Sequence, residues 1–504
     1  MNVENDVEEQ QDCEMKEVKT NTDYGMQLLH NTKGVLTKIA NLYAERLTSD
    51  VILVVGEKRY AVHRIILCAS SDVFDVMLMN GSWREFSDNV VKLQEEERCQ
   101  LVFPQFLRYM YHGEINVSVD TAVYILKLAD KYNIRDMAQL CVDYMKKHIT
   151  KATVKGYFVE WLHNSLLISS QRKHLATLLE NFLKWNLEFV LSYSGWEHLN
   201  QGVMQWLVQQ NDLAIRSEYR LYEMVESWFL YQKALIESRT DLHRAKKEDA
   251  IRSMVYSVLI HIRYPMMSLI EMANVLMSPC TQFMKEFFVA RVADGMNFHS
   301  ERLDIVNAVC QTEAGEHQFT PRLYTADFWS LQIACNFFEK MEKYSSIASV
   351  FFSPKTFIDN DEQSDAWDVE FYPLGVRYKP AQLIGVYSAA TNQEIPESII
   401  RTVRLRITNQ EPMNEERRYM IGVLIAGMQN DIEYVHNCRV RIAYFSSDQR
   451  VVNIDNLVPF DDLQLCGVHT PSLYMVGERR DTLKIHVIIV PLNQHSNVFN
   501  PTIE

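Results

Sequence analysis

Ser49-Asp50-Val51-Ile52-Leu53-Val54-Val55-Gly56 is a short apolar run that stops on a glycine. Lys58 to Val62 follows as a second extended run, and His63-Arg64-Ile65-Ile66-Leu67-Cys68-Ala69-Ser70-Ser71-Asp72-Val73-Phe74 comes directly after it. A glycine between two such runs predicts an antiparallel hairpin, and the segment after it predicts helix. A helix with Phe74, Met77 and Leu78 inward should end near Asn80-Gly81. Val90-Val91-Lys92-Leu93 reads as a strand, Leu101 to Gly113 as a helix, and Ile115-Asn116-Val117 as a short extended piece. Thr121 to Lys131 and Ile134 to His148 form a helical pair, with Val123, Leu126, Leu128, Met137, Leu140, Val142 and Met145 as its apolar positions.

The order of short motifs in this stretch resembles the BTB (POZ) domain. They are SDV at 49–51, VHR at 62–64, Ser71-x-x-Phe74, FLRYMYHGEI at 106–115 and LADKYNI at 128–134. Upstream, Gln27 to Arg46 carries Val35, Leu36, Ile39, Leu42 and Tyr43 at helical spacing, one apolar stripe. The resemblance implies that this stripe packs against a second subunit, giving a homodimer; periodicity alone fits a stripe covering its own core equally well. The resemblance also gives Trp83, Arg84 and Glu85 a role, because many BTB proteins place a hydrophobic-x-Glu triplet there against the scaffold cullin-3. An aromatic anchor followed by a carboxylate suits such an interface. The spacing before the triplet is one residue longer than the commonest pattern, and a Trp83 folded onto its own domain is the plainer alternative. His63 has no nucleophile or carboxylate placed near it by any motif, so a structural hydrogen bond at the strand-to-helix junction is expected.

At 504 residues the chain exceeds what one core holds, and several domains are expected. Hydrophobic content of 47% is that of a globular protein, and the net charge of −14 argues against a phosphate-backbone binder. Nine scattered cysteines, none in C-x-x-C, fit free thiols rather than zinc. Residues 1–23 hold eight acidic residues against two lysines, a composition expected to stay disordered. They lack the basic start and apolar run of a secretory signal, and no apolar run in the chain reaches transmembrane length. The expected location is the cytoplasm.

From Tyr157 to Leu276 the pattern is helical. Ser217-Glu218-Tyr219-Arg220-Leu221-Tyr222-Glu223-Met224-Val225-Glu226-Ser227-Trp228-Phe229 and Ile262-Arg263-Tyr264-Pro265-Met266-Met267 resemble two signatures of the BACK domain. Its aromatic stripes read as helix–helix core, and the helices as a spacer between two binding faces. Beyond Phe319 the character turns to strand. Candidates are Leu331–Phe338, Ile347–Ser353, Trp367–Tyr372, Gln382–Ser388, Thr402–Thr408, Met420–Ala426, Val440–Phe445 and Lys484–Val490, which suggests a β-sandwich. Trp367-Asp368-Val369-Glu370-Phe371-Tyr372-Pro373-Leu374-Gly375 resembles a TRAF (MATH) motif. The series BTB, BACK and TRAF-like sandwich is similar to the BTB-domain-containing protein seventeen group and to an insect transport-and-Golgi-organization relative. Some vertebrate members of that group are secreted, and the acidic start departs from them.

The expected fold is therefore multidomain: an acidic tail (1–26), an α+β BTB domain (27–149), an all-α BACK domain (150–276), a helical connector (277–320) and an all-β sandwich (321–495). No G-x-S-x-G, H-E-x-x-H, P-loop or G-x-G-x-x-G occurs, and Asp361, Glu362 and Asp365 read as a solvated loop cluster. No catalytic residue, metal or cofactor is expected. The resemblance implies a cullin-3 ubiquitin-ligase adaptor that dimerises through BTB and holds an unknown protein substrate on the sandwich, with Gly427–Val435 and Asp461–Ser472 as candidate contact loops. A non-degradative scaffold, for instance in secretory-pathway organisation, is the alternative.

Overall fold

The expected hairpin is present in the computed structural model: β1 (Val51–Val55) pairs antiparallel with β2 (Lys58–Val62), with Gly56 at φ 58° between them. The structure describes residues 31–79, 89–168, 173–241, 243–300, 302, 304, 317–355, 364–378, 398–411, 416–463 and 472–492. β3 (Val90–Leu93) lies parallel to β1, giving the order β2-β1-β3. Around this sheet run α1 (Thr32–Glu45), α2 (Arg64–Ser70), α3 (Asp72–Met79), α4 (Glu97–His112), α5 (Ala122–Lys131) and α6 (Arg135–Lys147). Gly113 stops α4 in the left-handed region, its N–H donating to the Tyr109 carbonyl at 2.7 Å. Phe74 and Leu78 are fully buried, as expected of α3, whereas Leu140 is 49% exposed and does not belong to the core. The buried His63 is wholly used in structure. Its Nε2 reaches the Leu47 carbonyl at 2.6 Å, and its Nδ1 lies 3.0 Å from the Tyr111 hydroxyl.

The helical region follows as α7 (Ile149–Val154), α8 (Phe158–Ser165), α9 (Lys173–Trp185), α10 (Leu187–Leu191), α11 (Gln201–Gln209), α12 (Glu218–Ser238), α13 (Arg244–Val258), α14 (Leu269–Met277) and α15 (Lys285–His299). One strand interrupts it. β4 (Ala214–Ile215) pairs in parallel with β5 (Leu323–Tyr324), so the segment entering the last domain is stitched into the helices.

That last domain is a two-sheet sandwich. One sheet has the order β14-β11-β8-β7, with β7 Ile347–Pro354, β8 Ser364–Tyr372, β11 Arg404–Asn409 and β14 Val451–Ile454, while β9 (Val376–Tyr378) and β10 (Ser398–Ile400) form a separate antiparallel pair. The other runs β13-β12-β16, with β6 and β15 also on β16; its strands are β6 Ser330–Cys335, β12 Arg417–Gln429, β13 Ile432–Phe445, β15 Met475–Val476 and β16 Thr482–Leu492. The Trp367 motif supplies the centre. Trp367, Val369 and Phe371 are fully buried, and the Trp367 indole donates to Ser353 Oγ at 2.8 Å while packing edge-on to Tyr419 and Phe445.

Several strand limits differ from expectation. Leu331–Phe338 shortens because Phe337 turns to φ 54° and Phe338 starts a 3-10 turn. β13 begins at Ile432 rather than Val440, because Asn430 (φ 52°) and Asp431 (φ 60°) close a two-residue turn and carry the hairpin further. Gln382–Ser388 lies outside the described residues. Asp365 is not in a solvated loop: it sits fully buried on β8 and accepts from the Tyr419 hydroxyl. Asp361 and Glu362 lie outside the described residues.

β12 shows how the sandwich is attached. A half-buried antiparallel strand alternates, but Tyr419 to Met428 is buried throughout. Tyr419, Ile421, Val423 and Ile425 enter the sandwich interior, while Met420 and Leu424 join the core of the helical region. Both faces of this sheet are therefore covered. β13 turns its charged face toward the other sheet. Arg439 and Arg441 stand opposite Val423 and Ile421, on the interior side, while the apolar Val440 and Ile442 pack outward against the helices.

Candidate protein-interaction surfaces

The amino-terminal helix divides its apolar stripe between two uses. Tyr43 packs against Tyr111 with tilted rings 4.9 Å apart, and its hydroxyl lies 3.5 Å from the Pro104 carbonyl on α4. Ile39 and Leu42 are half-buried. Val35 and Leu36 are 54% and 48% exposed, so the first turns of the stripe lack a cover within the described residues. On α3 a second exposed stripe, Val73, Val76 and Met79, recurs every third residue and leads toward residues 80–88. Trp83, Arg84 and Glu85 lie outside the described residues.

The sandwich does not stand at a distance from the amino-terminal domain, as a helical spacer would require. The tip of the β12–β13 hairpin rests on the junction of α6 and α7. Gln429 Nε2 donates to the Lys146 carbonyl at 2.7 Å, and its Oε1 accepts from the Thr150 backbone at 3.2 Å. Asn430 Nδ2 donates to the Lys147 carbonyl at 3.1 Å, and its Oδ1 lies 3.0 Å from His148 Nδ1. Further along the hairpin, Asn186 grips Val435 twice, donating to its carbonyl at 2.9 Å and accepting its N–H at 2.6 Å. Gly427–Val435, expected as a substrate loop, is thus largely spent on contacts within the chain. Of the other candidate loop, only 461–463 and residue 472 are described.

A buried charge cluster fixes the sandwich from the other side. Glu218 and Arg322 are both fully buried, with Arg322 Nε donating to Glu218 Oε2 at 3.0 Å. The Tyr324 hydroxyl donates to the same oxygen at 2.8 Å, and the Arg263 N–H to Oε1 at 2.8 Å. Arg322 also binds the carbonyls of Val208, Gln210 and His261, and Arg263 binds that of Thr320. Burial opposes the charge on Glu218, yet the Arg322 and Arg263 guanidiniums outweigh it and hold its pKa below the ordinary carboxylate value. Arg263 is pushed down to about 9 by burial and by its neighbour Arg322. Sequence reading marked Glu218 and Arg263 only as parts of signatures. The signal it passed over was charge inside apolar contexts, Ile262-Arg263-Tyr264 and Pro321-Arg322-Leu323.

What remains open on the sandwich is its rim. β7 ends one sheet and exposes Val350 (64%) and Phe352 (60%), an edge able to accept an extended segment. At the other rim β13 and β14 are the outermost strands, with Arg439 and Arg441 exposed on β13. Among the described residues no group of three or more His, Cys, Asp or Glu could hold a metal ion, and no helix is long and apolar enough to cross a membrane.

Comparison with known proteins agrees with this layout. Residues 39–149 match the model of the BTB/POZ domain, 168–242 that of BACK (BTB And C-terminal Kelch), and 319–493 that of the BTBD17 TRAF domain. BTB/POZ domain-containing protein 17 of Xenopus tropicalis is 27% identical over 498 residues, which covers 93% of each chain. Its Xenopus laevis counterpart is 24% identical over 494 residues, again 93% of each. Kelch-like protein 7 of Rattus norvegicus is 24% identical over 200 residues, 40% of this chain and 33% of that protein. The chain thus carries a BTB/POZ domain, a BACK domain and a TRAF domain of the BTBD17 type, in that order.

Proposed function

We propose that the chain is a non-catalytic, cytoplasmic, substrate-recruiting adaptor of a cullin-3 RING ubiquitin ligase. The observation that carries this reading is the sequence of modules: a BTB domain with an exposed α3 stripe, a BACK region behind it, and a TRAF sandwich hydrogen-bonded to both. Val73, Val76 and Met79 offer an apolar strip to the cullin, and Trp83 and Glu85, a few residues on in the sequence, supply an anchor and a rim contact. Val35 and Leu36 meet the same residues of a second copy, so that two sandwiches are displayed on one twofold platform. Substrate occupies the sandwich rim, and the chain raises the local concentration of a target lysine near a recruited ubiquitin-conjugating enzyme.

The attachment bears on this role. A substrate held on a welded sandwich has its position relative to the BTB domain set by the Glu218–Arg322 cluster and the Gln429 clasp, not by a flexible linker. The test is a pull-down of the purified amino-terminal region of cullin-3 with wild type and with the double variant Trp83→Ala, Glu85→Ala. Retention by wild type and loss in the variant supports the assignment; equal capture by both removes the proposed contact.

A further inference from the structure

β7 (Ile347–Pro354) is the outermost strand of its sheet, on the edge opposite β14. It pairs with β8 on one side in an unbroken register, and among the described residues no other backbone group bonds to it. A long outer strand is normally guarded against further pairing by charges or a bulge. β2, the edge of the amino-terminal sheet, exposes Lys58 and Arg59, and β13 exposes Glu433, Arg439 and Arg441. The sequence Ile347-Ala348-Ser349-Val350-Phe351-Phe352-Ser353-Pro354 carries no charge, and Val350 and Phe352 are 64% and 60% exposed.

The outer face beside this edge is laid out in rows across the strands. Phe352 lies opposite Ala366 of β8. Val350 lies opposite Asp368, and Asp368 opposite Thr408 of β11. Ala348 lies opposite Glu370, which is paired with Arg406 at 3.3 Å. The Asp368 carboxylate is half-buried and, among the described residues, has neither an ion pair nor a hydrogen bond. Neighbouring strands are about 4.8 Å apart, so a residue added opposite Val350 stands ~10 Å from Asp368, backbone to backbone. A lysine or arginine spans that gap with its stem along Val350 and its charged head at the carboxylate. In the next row the small Ala366 leaves an open place behind Phe352, which suits an aromatic side chain.

We propose that β7 pairs with an extended segment of a partner protein that carries an aromatic residue and, two positions later, a basic one. The aromatic side chain packs on Phe352 and over Ala366, and the basic one crosses Val350 to Asp368. The two backbones join through the ladder bonds that β7 leaves open. The direction is antiparallel, as in every other pair of this sheet. A second copy of this chain is a poorer occupant, because its own β7 has no cation to offer Asp368. The proposal rests on the reading of the sandwich rim as the substrate surface and names the class of segment taken there.

The test is fluorescence anisotropy of a labelled, end-capped heptapeptide titrated with the full-length protein. Its core is tyrosine-threonine-lysine flanked by threonine and valine, and a second peptide has glutamate in place of the lysine. The lysine peptide should bind saturably and about fivefold more tightly than the glutamate peptide, one exposed attraction exchanged for one repulsion. Asp368→Lys, on the outer face, should reverse that preference, and hydrogen exchange across 347–354 should slow when the lysine peptide is bound. No binding, equal affinity for both peptides, or a preference that survives Asp368→Lys would overturn the proposal. So would a fall in mass on Phe352→Lys by light scattering, which would put a second copy on β7 instead. The comparison of the two peptides on wild type needs no variant to fold. Cullin-3 is absent from every arm, so failure here leaves the ligase contact standing, and failure of the cullin-3 pull-down leaves the β7 site standing.

Discussion

The Thr150 hydroxyl donates to the backbone carbonyl of Gln429 at 3.1 Å, joining two residues 279 positions apart. The contact places the far tip of the sandwich on α7, the first helix of the helical region. The amino-terminal domain, the helices and the sandwich are consequently neighbours.

Gln429→Ala removes the Lys146 contact and two contacts with Thr150. Neutral hydrogen bonds contribute about 0.5–1.5 kcal/mol each, so the loss of three should be about 1.5–4.5 kcal/mol. Hydrogen exchange measured by mass spectrometry should accelerate in peptides spanning 146–150 and 429–435 while the sandwich interior stays protected. Unchanged exchange at 146–150 would show that the clasp is not held in solution.

Glu218→Ala leaves Arg322 and Arg263 buried without their carboxylate and should cost about 3–5 kcal/mol. Denaturant unfolding of wild type and variant measures this. The pH dependence has a defined sign. Because the folded pKa of Glu218 lies below its unfolded value, its contribution is complete above the unfolded pKa, roughly 4.3, and fades as pH falls through the folded value. Wild type should lose stability in acid more steeply than Glu218→Ala, and parallel curves would contradict the assignment.

Gly422 has no room for a side chain: an added Cβ would meet Leu323 Cδ2 at 2.5 Å. Gly422→Ala should destabilise by about 1–3 kcal/mol through overpacking. Leu323→Ala should cost about 2–5 kcal/mol on its own, because Leu323 is fully buried. The double variant should be less destabilised than the sum, since each change relieves the other, and a double-mutant cycle checks this directly.

The α1 stripe gives a contrast within one helix. Val35→Asp with Leu36→Asp should leave thermal stability of the protomer unchanged, because both side chains are exposed, yet shift the protein to monomer. Tyr43→Ala should lower stability, because Tyr43 packs on Tyr111. Light scattering and thermal denaturation separate the two effects.

Local pattern carried the hairpin, the helix stops and the Trp367 motif into correct structure, because each depends on neighbours in sequence. Gly56 and Gly113 needed only a left-handed backbone, and Trp367, Val369 and Phe371 needed only a period of two. Relations across the chain were not legible. The unbroken apolar run around Met420-Ile421-Gly422-Val423-Leu424 was the visible trace of a sheet covered on both faces, yet what covers it lies far away in sequence. The same holds for Glu218 and Arg322, which meet across 104 positions, and for Asp365, whose burial depends on Tyr419 from the opposite sheet. In β13 the alternation of Val440-Arg441-Ile442 shows two faces but not which one meets the sandwich; the apolar one packs on the helices.

The central claim is tested most directly by light scattering on the full-length protein, alone and mixed with the purified amino-terminal region of cullin-3. The account predicts a homodimer that takes up one cullin fragment per subunit and loses it when Trp83 and Glu85 are both replaced by alanine. A monomer whose mass is unchanged by micromolar cullin-3 would contradict it.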